Sequence, residues 1–333
     1  MSGYSPSSQN INTEIEWAAS VVERLLLEVG RSVVGQHQLR RRLITALITE
    51  GHILLEGVPG LAKTRSISAL SATLDASFQR IQFTPDLLPA DLTGTEIFRP
   101  KEGNFEVRQG PIFANFILAD EINRAPAKVQ SALLETMQER QVTIGETTFP
   151  LPRPFFVMAT QNPIEQEGTY PLPEAQIDRF MMKVRVDYPS ADEELEMLEL
   201  LSREQFKAKT RDPVASLDDI SKIIALTDKV YVDDKVKKYI IDLVWATRTP
   251  RKFNIDIENL IELGASPRAT ISLFQAARAE ALISGQSFVV PQNVKDIAPD
   301  VLRHRVIPTY EAEAQGLSSA DLIQSILDSV PVP

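Results

Sequence analysis

The chain of 333 residues contains no cysteine. That excludes disulfides, thiolate zinc sites and a cysteine nucleophile, and it is compatible with a reducing compartment. Only three histidines occur, at 37, 52 and 304. No two of them have metal-ligand spacing, so they read as structural or solvated side chains. No uninterrupted apolar run approaches the ~20 residues needed to span a bilayer. The first ten residues are polar and serine-rich, without the apolar centre of a secretory signal. A cytoplasmic location is expected. Positive charge is in deficit, with 35 Lys and Arg against 45 Asp and Glu, a net charge of −10. Non-specific binding to nucleic acid or anionic lipid needs cationic surface, so neither partner is expected. The local exception is the triplet Arg40-Arg41-Arg42, for which a solvated helix face is a simpler reading than a basic patch.

What is present describes an ordinary globular protein. The hydrophobic fraction of 43 % can build a real core, and the length suits one large or two modest domains. Residues 1–12 offer little to bury and are expected to be disordered. Apolar residues at helical spacing predict helices over 13–29 and 36–50. Short apolar runs follow at 52–56, 78–83, 116–120, 155–160 and 181–186, separated by helical stretches at 63–74 and 125–138. Strands alternating with helices imply an α/β fold with a mostly parallel sheet covered on both faces. Two stretches break the alternation. Residues 95–108 read as a hairpin around Gly103, and 141–151 as a second one. After Tyr188-Pro189 the strand signals fade into helices, one of them opened by Ser266-Pro267 and closed at Gly285. A boundary is therefore expected near residue 189.

Three stretches carry chemistry. Gly57-Val58-Pro59-Gly60-Leu61-Ala62-Lys63-Thr64 follows a strand and opens a helix. Such a loop aims backbone N–H groups at one point, where the helix N-terminus adds partial positive charge. Lys63 would reach phosphate oxygens and the Thr64 hydroxyl would bind Mg²⁺. Ala62 stands where glycine is usual. The plainer reading is a Gly/Pro turn followed by chance by Lys-Thr. The second stretch, 116–121, is a buried strand ending in Asp120-Glu121. Asp120 fits a carboxylate holding Mg²⁺ opposite Thr64, and Glu121 a base for the attacking water; a strand end reaching solvent is the plainer reading. In the third, Met158-Ala159-Thr160-Gln161-Asn162-Pro163, Asn162 is able to hydrogen-bond a phosphate or the water, or simply to start a turn.

Together, Gly-Val-Pro-Gly-Leu-Ala-Lys-Thr, Leu-Ala-Asp-Glu-Ile-Asn-Arg-Ala-Pro at 118–126 and the long run from Ala159 to Phe180 resemble the MoxR family of AAA+ ATPases. Ala62 agrees with that family. The resemblance implies an AAA+ parallel-sheet ATP-binding domain at 13–189 and an all-α helical lid at 190–333. It implies ATP and Mg²⁺ as cofactors, with Val34-Gly35-Gln36 near the adenine. By the same resemblance Asn162 is a polar sensor and Arg179 an arginine finger inserted into a neighbouring subunit; a local ion pair with Asp178 or Glu174 is the plainer alternative. Arg268 resembles a second sensor, touching the γ-phosphate of its own subunit. The two hairpins match inserts that face the pore or partner surface in related rings. The implied assembly is a homo-oligomer, a hexameric ring, that remodels or matures a protein complex, with von Willebrand factor A domain proteins among its clients. Two other readings stay open: a nucleotide-dependent scaffold with incidental turnover, and a DNA-directed motor, against which the acidic balance counts.

Overall fold

The computed structural model describes residues 6–57, 63–162, 168–202 and 213–333. Helices α1 (Pro6–Gly30) and α2 (His37–Ile48) precede strand β1 (Ile53–Glu56), helix α3 (Lys63–Thr73) and strand β2 (Phe78–Gln82). Next come the short helix α4 (Pro89–Thr93), the hairpin of β3 (Gly94–Arg99) and β4 (Asn104–Gln109), strand β5 (Phe116–Asp120) and helix α5 (Ala127–Glu139). A second hairpin pairs β6 (Gln141–Ile144) with β7 (Thr147–Pro150); β8 (Phe156–Gln161), α6 (Glu174–Ile177) and β9 (Met182–Arg185) complete the sheet region. The remainder holds α7 (Ala191–Ser202), α8 (Leu217–Thr227), α9 (Asp234–Ala246), strand β10 (Ile261–Leu263), α10 (Pro267–Ile283), α11 (Pro291–Leu302), strand β11 (Ile307–Pro308), α12 (Tyr310–Ala314) and α13 (Ser319–Ser329).

The central sheet has five strands in the order β2-β5-β8-β1-β9, every pairing parallel. Successive side chains of a strand point to opposite faces, so a sheet covered twice needs apolar residues at every position. Ile53, Leu55, Phe116, Leu118, Phe156 and Met158 enter one buried cluster, with α1, α2 and α3. Leu54, Ile117, Ala119, Val157 and Ala159 enter the other, against Val129, Leu133 and Leu134 of α5. Because all five strands run the same way, their C-terminal ends share one edge, where ligands bind in open α/β sheets.

Three expectations about the fold need correction. The first helix begins at Pro6, so the tail expected to be disordered over 1–12 is helical from residue 6; residues 1–5 lie outside the described residues. Proline suits the first turn of a helix, and Ile11 packs against the core. The lid is not wholly helical, because β10 and β11 pair antiparallel within it. Strands of three and two residues are too short to give a periodic signal. Across the boundary expected near residue 189, α1 and α2 share one continuous core with residues of α8, α9, α10 and α11.

The arginine triplet is not a solvated face either. Arg40 and Arg42 are buried. Arg42 pairs with Glu280 of α10 and Asp300 of α11, each at 2.7 Å, and Arg41 pairs with Glu280 at 2.6 Å. A buried charge persists only when paired, and here the pairing ties α2 to two lid helices.

The two hairpins differ in their roots. Ile97, Phe98 and Phe105 of the first are exposed, whereas Val142 and Ile144 of the second are buried in the core. Their turns use Gly103 at φ +65° and Gly145 at φ +58°, a region glycine adopts without strain. No helix among the described residues is long and apolar enough to cross a membrane.

Candidate nucleotide site

Gly57, Lys63, Asp120, Glu121 and Asn162 all gather at the C-terminal edge of the sheet, following β1, opening α3, ending β5 and following β8. Residues Val58, Pro59, Gly60, Leu61 and Ala62 of the expected phosphate loop lie outside the described residues. Lys63 Nζ donates to the Gly57 carbonyl, closing the loop at its base. Burial lowers the Lys63 pKa, and the negative charges of Asp120, Glu121 and Glu56 partly offset that shift. Thr64 is half-buried beside it.

Opposite stand the two acids. Asp120 Oδ1 accepts a hydrogen bond from Thr160 Oγ1 at 2.6 Å, and Oδ2 accepts two from Arg80, at 3.0 and 2.5 Å. Glu121 has left-handed backbone, φ 56°, which is uncommon for a residue with a side chain. Its amide donates to Thr160 Oγ1 at 2.8 Å, and its carboxylate is held by Gln82 at 2.9 Å and Arg124 at 3.1 Å. One threonine hydroxyl thus fixes both acids. The sequence reading missed Thr160, Arg80 and Gln82. Their signal was available: 80 and 82 alternate onto one face of β2, and in register Gln82 lies beside Asp120.

Val34 and Gly35 lie between α2 and the chain that leaves β9. Gly35 has φ +63°, and a Cβ there would come within 2.1 Å of Glu193 at the start of α7. Gln36 Nε2 donates to the Asp187 carbonyl at 3.1 Å. The segment therefore abuts the chain leaving β9, at the C-terminal edge of the sheet.

The donor set fits a nucleotide with Mg²⁺. A hydroxyl and a carboxylate are the hard oxygen ligands Mg²⁺ takes, and it is held by one or two of them with phosphate and water supplying the rest. No group of three or more Asp, Glu or His among the described residues is arranged to hold a metal alone.

Arg179 and Arg268 are elsewhere. Arg179 comes three residues before β9, whose Met182 is in register with Ile53, and Met181 N donates to the His52 carbonyl, so Arg179 lies at the N-terminal edge. A five-residue strand spans about 16 Å, and that length separates this edge from the acids. Arg268 faces Asp178 at 3.7 Å and lines, with Arg179, Arg140, His52 and Gln138, a cleft of about 360 Å³. The expectation that Arg268 touches the γ-phosphate of its own subunit is therefore not met. Ser266 Oγ, hydrogen-bonded to Asp178 Oδ2 at 2.8 Å, anchors the start of α10 at the wrong end of the sheet for it. Asp178 spends its charge on Arg305, at 2.6 Å, and Arg268, not on Arg179. Arg179 is exposed, and its guanidinium donates to the Leu134 carbonyl at 3.3 Å.

His52 and His304 have structural partners. Both are buried, bonded to the Met137 carbonyl and the Phe180 carbonyl respectively, each at 3.1 Å.

Comparison with known proteins agrees with this architecture. The model of the ATPase family associated with various cellular activities (AAA) matches residues 52–182, and that of the AAA lid domain matches 255–326. The chain is 48 % identical to Chaperone MoxR1 of Mycobacterium tuberculosis over 94 % of its own length and 82 % of that protein's. It is 30 % identical to Protein MoxR of Methylorubrum extorquens over 95 % of each chain. A crystal structure of a candidate ATPase from Cytophaga hutchinsonii superposes with a TM-score of 0.91 at 49 % identity, covering 99 % of this chain and 100 % of that one. With Lys63 beside paired acids at the C-terminal edge of the sheet, a match to the AAA lid domain after the sheet and relatives matched over most of their length, this chain belongs to the MoxR family of AAA+ ATPases.

Proposed function

We propose that the chain binds ATP with Mg²⁺ at the C-terminal edge of the sheet and hydrolyses it at a site completed by a second copy. The observation that carries this is the division of the machinery between opposite edges. Lys63, Thr64, Asp120, Glu121 and Asn162 share one edge, while Arg179 and Arg268 stand together on the other. A chain with its own arginines a strand length from its own acids can use both sets only when another copy approaches edge to edge.

In this reading Lys63 binds the β- and γ-phosphates, and Thr64 and Asp120 hold the metal. Mg²⁺, when bound, neutralises charge on the phosphates. Glu121, steadied by Gln82 and Arg124, accepts a proton from the attacking water. Asn162 orients that water or the γ-phosphate. Arg179 and Arg268 of the adjoining subunit stabilise the charge that develops during transfer. Val34 and Gly35 border the adenine. Head-to-tail contacts of this kind close into a ring, here a hexamer, and turnover shifts the hairpins against a protein client in the cytoplasm. The relative named a chaperone supports a remodelling task; von Willebrand factor A domain proteins are the clients we would test first.

The test is subunit mixing. Arg179→Ala and Glu121→Gln should each bind ATP and turn it over slowly, arginine fingers contributing on the order of 10³–10⁵ in rate. Their mixture should regain activity, because one interface then pairs an intact Glu121 with an intact Arg179. Arg268→Ala should behave like Arg179→Ala. If subunits exchange and the mixtures stay as inactive as their parts, the two-chain site is wrong.

A further inference from the structure

Where the sheet's N-terminal edge meets the lid lies a carboxylate whose connections go beyond neutralising a neighbour. Asp178 Oδ1 accepts from Arg305 Nε at 2.6 Å, and Oδ2 accepts from Ser266 Oγ at 2.8 Å and faces Arg268 Nη1 at 3.7 Å. Ser266 is also the N-cap of α10, its Oγ accepting from the Arg268 amide at 3.1 Å. Arg305 reinforces the junction. It donates to the carbonyls of Asp178 at 3.0 Å, Phe180 at 2.8 Å and Met181 at 3.0 Å. Its side chain is only 2 % exposed. Asp178, Phe180 and Met181 are thereby bonded to the lid, while Arg179 among them is exposed.

We propose that Asp178 is a positioning residue that joins the sheet's N-terminal edge to the lid, so that Arg179 and Arg268 are presented to the neighbouring subunit as one fixed pair. This rests on the two-chain site proposed above. The two arginines come from different structural layers, the approach to β9 and the start of α10, and Asp178 is the side chain bonded to the cap of one and adjacent in sequence to the other. A guanidinium pair meant for a nucleotide on another chain has no ligand of its own to order it, and a carboxylate held by a buried arginine supplies that order. Misplacement of a catalytic group by about 1 Å costs on the order of a hundredfold in rate, which sets the effect to expect.

The experiment uses the full chain and ATP turnover under assembling conditions. Asp178→Asn keeps the shape and removes the charge that holds Arg305 and Arg268. It should lower kcat by about a hundredfold, leave KM and binding of a fluorescent ATP analogue unchanged, and leave the mixed-subunit pattern as the signature. Asp178→Asn mixed with Glu121→Gln should regain turnover, because the defect lies only in the edge offered to a neighbour. Mixed with Arg179→Ala it should not, because both variants are defective on the same edge. Should thermal unfolding show that Asp178→Asn has lost its fold, Ser266→Ala carries the same measurements, removing only the hydroxyl that links cap to carboxylate. Wild-type kcat in the folded variant, or recovery in the mixture with Arg179→Ala, overturns the positioning role while the two-chain site stands. An Arg179→Ala variant with undiminished turnover overturns the two-chain site, and this inference with it.

Discussion

The buried charges that fasten α2 to the lid allow a stability effect to be worked out in advance. Arg42→Met keeps the volume of the side chain and removes its charge. Glu280 would retain Arg41 at 2.6 Å and Thr45 at 2.9 Å. Asp300 is worse served: it would keep Gln38 at 3.2 Å and a distant Arg303 contact at 3.6 Å, with its side chain 1 % exposed. Removing one partner of a buried pair costs 3–5 kcal/mol where measured. With Glu280 still satisfied, the lower end applies, about 3 kcal/mol. Unfolding entropy near 2.1 cal/mol/K per residue then gives a fall in Tm of about 4 °C for the chain. Calorimetry or urea unfolding would read it. The sharper test adds Asp300→Leu. That second substitution removes the stranded carboxylate, so the double variant should be more stable than Arg42→Met alone. A single variant that loses less than about 1 kcal/mol, or a double variant less stable than the single, would refute the claim that Asp300 depends on Arg42.

Three further outcomes are expected. Lys63→Ala should abolish binding of a fluorescent ATP analogue in a folded chain, since the site loses the cation that closes on Gly57. Shortening the first hairpin through 97–106 should spare Tm and ATP binding, whereas Ile144→Ala in the second should cost about 2–5 kcal/mol, as buried Ile→Ala changes do, because Ile144 is 4 % exposed; both are read by thermal unfolding. Burial lowers the His52 pKa to about 4. The unfolded chain therefore takes up a proton below pH ~6.5 that folded His52 refuses until about pH 4. Stability should fall across that window by roughly 1 kcal/mol per pH unit, and His52→Gln should flatten the slope measured by urea unfolding between pH 7 and 5.

Much of this molecule was legible because its signals are local. An apolar run ending in Asp120-Glu121 announces a buried strand that surfaces at a site. Gly103 and Gly145 mark turns by a backbone conformation few other residues adopt, and Ser266-Pro267 states a helix start in two letters. What escaped depends on partners distant in sequence. The burial of Arg42 follows from Glu280 and Asp300, more than 230 residues away. That α10 starts beside the N-terminal edge of the sheet follows from Ser266 bonding to Asp178, and nothing in the letters around 268 records it. The β10–β11 ribbon is a long-range pairing of segments too short for any period to show.

The hydroxyl of Thr160 also limits which letters position 160 will accept. Its single proton goes to Asp120 and its oxygen receives the Glu121 amide. Serine could do both with one methyl fewer. Valine, almost the same shape, could do neither, and would leave a part-buried amide without an acceptor and a carboxylate short of a donor. At this position the fold selects for an atom's chemistry over its volume, so a swap that looks conservative by size would be the damaging one.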